Sequence, residues 1–177
     1  MSETAPKRYH PVFVAIHWLM AVLILFIIAA GKFMLPGIPD SDPQKAMMLQ
    51  FHAVSGGLIA VLLIVRLVMR FTVKRPDPAD AGNAFLNRIA RATHFLLYFL
   101  VFGMVASGLG IFQSANLPAV FSGAQSYPAD LFVYPPRMGH GLVSWLLVAL
   151  IALHIGAAFF HQFIKKDNLL ARMWFGK

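Results

Sequence analysis

Four long apolar segments decide what this chain can fold into. They occupy about residues 12–34, 46–69, 92–112 and 137–164. Each is close to or above the length of about 20 residues that crosses the hydrocarbon core of a bilayer. Lipid offers no hydrogen bonds to the backbone, so a segment of this kind must be helical to satisfy its own N–H and C=O groups. The sequence therefore predicts an all-α protein, an integral membrane four-helix bundle that forms one domain over residues 1–177.

Composition and charge agree with a membrane location. The chain is 59% apolar and carries a net charge of +8, which on a soluble protein would suggest a nucleic-acid partner. Twelve of the fifteen Lys and Arg residues, however, flank the segments on one side; the other three are Lys32, Lys45 and Arg137. The positive-inside rule assigns the richer side to the cytoplasm. We therefore expect both termini to be cytoplasmic, with membrane lipid and not nucleic acid as the partner.

The first segment is long for a signal peptide, and the chain has no cysteine. A secretory signal has an apolar region of about 7–15 residues, whereas this segment is longer and contains His17 and Trp18. We interpret it as a retained helix. The absence of cysteine excludes iron–sulfur clusters and covalent c-type haem attachment. Any haem in this protein must be held by non-covalent axial ligation.

Histidines fall in two layers of the expected bundle. His140 and His154 are 14 residues apart, which places them on nearly the same helix face and separates them by roughly 21 Å. When the four segments are threaded through the membrane, His52 and His140 are the two histidines near the outer side. The cytoplasmic half holds the remaining membrane histidines, His17, His94, His154 and His161. Ionisable groups inside a membrane are rare and usually functional.

Two histidine layers without carboxylates favour haem over a small metal ion. Imidazole binds iron, copper and zinc, but a small ion usually needs more than two protein ligands, whereas a haem needs two axial ones. No Asp or Glu lies within any apolar segment, which disfavours a histidine-lined metal transporter. We therefore expect two non-covalent b haems, the outer one between His52 and His140. Depth alone leaves the partner of His17 open, because His94 and His161 lie nearer its level than His154 does.

Several stretches are similar to a known family over nearly the whole chain. They are AIHWLM, FHAVSGGLI, RATHFLLYFL and LHIGAAFFHQFIKKDNLLARM. Together they resemble the prokaryotic cytochrome b561 family of four-helix di-haem membrane cytochromes. The resemblance implies haem ligands from segments one, two and four, namely His17 with His154 for the inner haem and His52 with His140 for the outer one. His161 and His94 remain alternatives for the inner haem, or else contacts for a haem propionate or for proton exchange at a quinone site.

The resemblance also implies a function in the bacterial inner membrane. It predicts an oxidoreductase that moves electrons between the quinone pool and a small-molecule or protein partner at the outer face, in its specific form superoxide oxidation coupled to ubiquinone reduction. No catalytic residue is assigned. A funnel for superoxide would be basic, but three outer aspartates balance the three outer cations; Arg137, one turn before His140, is the best candidate for steering or for a propionate. The alternative is a haem b anchor subunit of a larger respiratory dehydrogenase or hydrogenase complex, docked through its outer loop and basic tail.

Overall fold

Four long helices form the protein in its computed structural model, which describes residues 8–175. They are α1 (Pro11–Ala29), α2 (Pro43–Thr72), α3 (Ala84–Ser114) and α5 (Pro135–Phe159), with a short α4 (Leu117–Phe121) before the last. With their flanking helical turns they give four spans long and apolar enough to cross a membrane, Pro11–Gly37, Pro43–Thr72, Ala84–Ser114 and Pro135–Lys165. The prediction of an all-α membrane bundle of four helices is confirmed. Residues 1–7 and 176–177, with Lys7 and Lys177 of the charge argument, lie outside the described residues.

Polar caps extend the helices beyond the apolar segments. Asp42 accepts a hydrogen bond from the N–H of Gln44 at the start of α2. The Asn83 side chain accepts one from the N–H of Leu86, so α3 begins at Ala84, where the apolar pattern alone indicated residue 92. His10 caps α1 in the same way through Nδ1, which defines a local role for a histidine outside the bundle. Such caps satisfy N–H groups that the first turn of a helix leaves unpaired.

The two ends of the bundle differ in charge and construction. The basic end is formed by residues 8–10, 73–83 and 166–175, where the Tyr9 N–H donates to the Arg172 carbonyl at 3.2 Å. Lys165 Nζ donates to the Asp80 carbonyl there, at 3.3 Å. The loop end is formed by residues 38–42 and 115–134, and its buried cluster comprises Ile111, Ala115, Leu117 and Val120. The long connection at this end is therefore a folded cap.

Apolar side chains fill the middle of the bundle and also cover its outside. The central cluster consists of Met20, Ile59, Leu63, Val101 and Leu147. Large side chains such as Phe33 and Phe71 are 77% and 78% exposed. An exterior of this kind suits lipid, which solvates apolar groups as well as a protein interior does.

The C-terminal tail folds back onto the start of α1. Lys166 and Asn168 adopt left-handed backbone angles, with φ of 55° and 56°, and these reverse the chain after the last span. Trp18 Nε1 then donates to the Met173 carbonyl at 2.8 Å. The indole of Trp174 packs edge-on against that of Trp18, with ring centroids 5.7 Å apart. The tail thus lies beside the first helix at the level of His17.

Candidate functional site

A first histidine pair lies towards the loop end. His52 is on α2 and His140 is on α5, and their ring centroids are 6.2 Å apart with an angle of 67° between the ring planes. Both residues are half-buried. The two histidines predicted to lie near the outer side of the membrane are thus brought together from separate helices.

A second pair lies towards the basic end. His17 on α1 and His154 on α5 have ring centroids 6.3 Å apart, with 79° between the planes. His154 lies far from Lys165 along the helix, yet it is close to His17. The chain beyond the last span turns back beside α1, so His17 does not lie at the very end of the bundle and a histidine deeper in α5 can pair with it.

The two alternative histidines have other partners. His94 contacts His154 edge-on, with centroids 5.4 Å apart, and its Nδ1 is 2.7 Å from the carbonyl of Ala90 one turn back. Nδ1 of His161 lies 2.5 Å from a carboxylate oxygen of Asp167 in the tail. His94 therefore belongs to the surroundings of the basic-end pair, and His161 takes part in attaching the tail.

Comparison with known proteins identifies the family. The family model for prokaryotic cytochrome b561 matches residues 8–176. The chain belongs to the prokaryotic cytochrome b561 family. It is similar to cytochrome b561 homolog 2 of Escherichia coli, 31% identical over 180 residues that cover 98% of this chain and 95% of the relative. It is also similar to a probable superoxide oxidase of Yersinia pestis, 27% identical with 94% and 96% covered, and to a cytochrome b562 of Cereibacter sphaeroides, 26% identical with 96% and 97% covered.

Membership of the cytochrome b561 family places the chain among multi-pass proteins of the bacterial inner membrane and implies haem b as its cofactor. The spacing of both histidine pairs fits that cofactor. A metal–imidazole bond is about 2 Å long, and the ring centre lies about 1 Å farther away, so imidazoles on opposite sides of one iron have centroids about 6 Å apart. The observed values are 6.2 and 6.3 Å. Within residues 8–175, no group of three or more His, Cys, Asp and Glu is arranged to hold a bare metal ion.

Ser107 orients one ring of this cytochrome b561 member. Its Oγ lies 3.0 Å from Nδ1 of His140 and 2.7 Å from the carbonyl of Gly103. The hydroxyl has one proton, and when that proton goes to the carbonyl, the oxygen accepts from Nδ1–H. The Nε2 of His140 then carries the free lone pair that a metal requires. From the sequence, Ser107 was a small residue in an apolar span, and its hydroxyl was the only sign of a hydrogen-bonding role.

Gly31 and Gly108 allow the helices to approach the loop-end histidines. A Cβ on Gly31 would lie 3.1 Å from Cε1 of His52, and one on Gly108 would lie 3.6 Å from Cε1 of His140. The Nδ1 of His52 is buried and has no hydrogen-bond partner among the described residues. Buried ring nitrogens are normally satisfied, so this unpaired nitrogen distinguishes His52 from an ordinary hydrogen-bonded core histidine. Sequence reasoning missed Gly31, because its contact with His52 is between helices.

Two cations lie near the loop-end pair, and a third is neutralised. Lys32 Nζ donates to Ser144 Oγ at 2.9 Å and lies 3.6 Å from the centre of the Trp145 ring. Arg137 stacks on Phe132 at 4.4 Å. Lys45 instead pairs with Asp40 at 2.6 Å. Arg137 Nη1 is 3.3 Å from the Cβ position of Gly141, next to His140, and Ser144, which accepts from Lys32, lies one turn beyond it. Positive charge at this end is therefore concentrated in Lys32 and Arg137, close to His140.

Proposed function

We propose that this protein is a di-haem b cytochrome that moves electrons between the quinone pool and a donor at the outer membrane face, with the basic end in the cytoplasm. The carrying observation is that α5 contributes one histidine to each of two facing pairs, His17 with His154 and His52 with His140, both with centroids about 6 Å apart. Bound haem b supplies one-electron redox chemistry at its iron.

The two histidines of each pair would hold one haem through their ring nitrogens. An iron bound by both would have no free position, so the pairs favour electron transfer over oxygen binding at the metal. Ser107 keeps Nε2 of His140 available by accepting from its Nδ1–H. The apolar side chains around Leu147 exclude water between the two pairs.

The more specific reaction is oxidation of superoxide at the loop end with ubiquinone as the acceptor. Two superoxide anions give two dioxygen molecules and two electrons, and ubiquinone takes up those electrons with two protons to form ubiquinol. Pairing of Lys45 with Asp40 leaves Lys32 and Arg137 as the cations beside the loop-end histidines, a local arrangement that attracts an anion. The relative from Yersinia pestis named a probable superoxide oxidase supports the same reaction.

The decisive experiment is the haem-to-protein ratio of the purified chain with reduced-minus-oxidised spectra. We expect two b haems per chain in the wild type and one in His140→Ala or His17→Ala. A chain without bound haem would end the proposal. The isolated protein is then assayed for superoxide-dependent formation of ubiquinol, with Lys32→Gln expected to lower the rate more strongly at low than at high ionic strength, since salt screens steering.

A second candidate is a haem b subunit of a larger respiratory complex. The folded cap at the loop end favours this candidate, because it is a structured surface on which Phe132 and Val133 are exposed and available to a partner subunit. In that case the isolated chain binds haem but neither superoxide nor quinol changes its redox state at a useful rate. Turnover by the purified protein alone excludes this candidate.

A further inference from the structure

Arg66 is a charged residue in the membrane-spanning part of α2, and it is only partly accessible. A charge at such a position is costly unless it is paired, and residues of this kind usually mark a functional contact. The question is which anion this guanidinium binds.

Three helices fix the Arg66 side chain. Its Nε donates to the Tyr98 hydroxyl on α3 at 3.1 Å, and its Nη1 donates to the Phe13 carbonyl on α1 at 3.2 Å. The guanidinium also stacks on the Phe13 ring at 4.3 Å. All of these partners are uncharged, so they hold the group in place without neutralising it.

The chain offers no carboxylate at this level. Neither Asp nor Glu occurs in any of the four spans, and within residues 8–175 Arg66 has no carboxylate at ion-pair distance. A guanidinium has five N–H donors in a planar fork. Two of them are used by Tyr98 and Phe13, and the other N–H groups have no acceptor among the described residues.

The guanidinium of Arg66 lies near the basic-end histidine pair. Phe13, whose carbonyl and ring both contact the Arg66 guanidinium, lies one helical turn before His17 on α1. An anion bound by this guanidinium therefore lies beside the space that the rings of His17 and His154 face.

We infer that Arg66 binds a propionate carboxylate of the haem b held between His17 and His154. This inference rests on the proposed function. Haem b brings its own carboxylates, and the planar fork of arginine matches a carboxylate through two parallel hydrogen bonds. The cofactor thereby completes an ion pair of which the chain supplies only the positive half.

The test compares haem dissociation from the purified full-length protein reconstituted with haem b or with its dimethyl ester. The component absent in His17→Ala identifies the basic-end haem. Loss of a charge-assisted hydrogen bond should make Arg66→Gln release haem b about ten-fold faster. Release of the ester, which has no carboxylate, should be the same in wild type and variant. Arg66→Lys keeps the charge but not the planar fork, so it should release haem b at a rate between those of the wild type and Arg66→Gln.

Arg70→Gln is the matched control, because Arg70 lies one turn further along α2 and stacks on Tyr98 at 5.5 Å. It should leave the dissociation rate of both cofactors unchanged. Equal rates for wild type and Arg66→Gln with haem b would overturn the inference, as would an equal acceleration with the ester. Failure of the wild type to bind two haems would instead contradict the proposed function.

Discussion

Nδ1 of His140 and Oγ of Ser107 lie 3.0 Å apart, and the same hydroxyl is 2.7 Å from the Gly103 carbonyl. This chain of two hydrogen bonds connects a proposed metal ligand on α5 with the backbone of α3. Hydrogen-bond partners behind a metal ligand fix its ring orientation and its basicity.

Removing this hydroxyl should weaken the loop-end haem without abolishing it. We expect Ser107→Ala to lower affinity for that haem by about ten- to a hundred-fold, the usual cost of losing a partner behind a ligand. Haem titration of the purified protein measures this change. Ser122→Ala is the control, because Ser122 Oγ donates to the Ala119 carbonyl in the loop-end cap. Unchanged affinity in Ser107→Ala would mean that the hydroxyl does not orient His140.

A side chain at position 31 should displace His52. The Cβ position of Gly31 is 3.1 Å from Cε1 of that ring, and Gly31→Val would place methyl groups against it. We expect the loop-end haem to be lost while the basic-end haem is retained, as measured by the haem-to-protein ratio. Gly37→Val is the matched control, since nothing lies within 4 Å of that Cβ position. Retention of two haems in Gly31→Val would show that the ring tolerates the shift.

His154 and His161 should behave differently on truncation, although they are seven residues apart on one span. His154 faces His17, whereas His161 is bound to Asp167. We expect His154→Ala to lose the basic-end haem and His161→Ala to keep both, which the pyridine haemochrome content will show. The reverse result would move the ligand to His161.

The contact between His161 and Asp167 makes attachment of the C-terminal tail sensitive to acid. Partial burial raises the pKa of Asp167, but the hydrogen bond and charge of His161 outweigh it and hold the pKa below its ordinary 3.8. A carboxylate with a lowered pKa stabilises the folded form above the unfolded value, and this contribution is lost as pH falls through the folded value. Amide hydrogen exchange in residues 169–173, corrected for intrinsic rates, should therefore accelerate below about pH 4.

Asp167→Asn provides the control for this behaviour. It removes the titrating carboxylate, so the tail should exchange faster at neutral pH and show no further transition on acidification. A wild-type tail whose protection is the same at pH 6 and pH 3 would contradict the role of the His161–Asp167 pair.

Some of these features were accessible from the sequence, and others depend on contacts between helices. Apolar length sufficed for the four helices, and the 14-residue spacing of His140 and His154 sufficed for two levels on one helix. Depth along the helices, however, left the partner of His17 open. The depth of each histidine in the last span was counted from Lys165, as if the chain left the membrane there. Left-handed turns at Lys166 and Asn168 bring the tail back, and no apolar periodicity encodes them.

The close contact of Gly31 with His52 and the position of Arg66 were missed for a related reason. Each depends on how two helices are rotated relative to one another. Helix rotation is set by packing over the whole interface, so a single span does not reveal which glycine faces a ring or which arginine faces a site.

The buried layer around Leu147, which is 2% exposed and lies halfway between His140 and His154, has an electrical consequence. Its buried apolar members are Met20, Ile59, Leu63, Val101 and Leu147. An electron that passes between the two proposed sites would move about 21 Å along the helix axis, most of a hydrocarbon core of about 30 Å. Such a step would be electrogenic, and a membrane potential of 100 mV would change its free energy by up to about 2.3 kcal/mol. If electrons follow the proposed route, the direction and rate of turnover in energised membranes would depend on the membrane voltage.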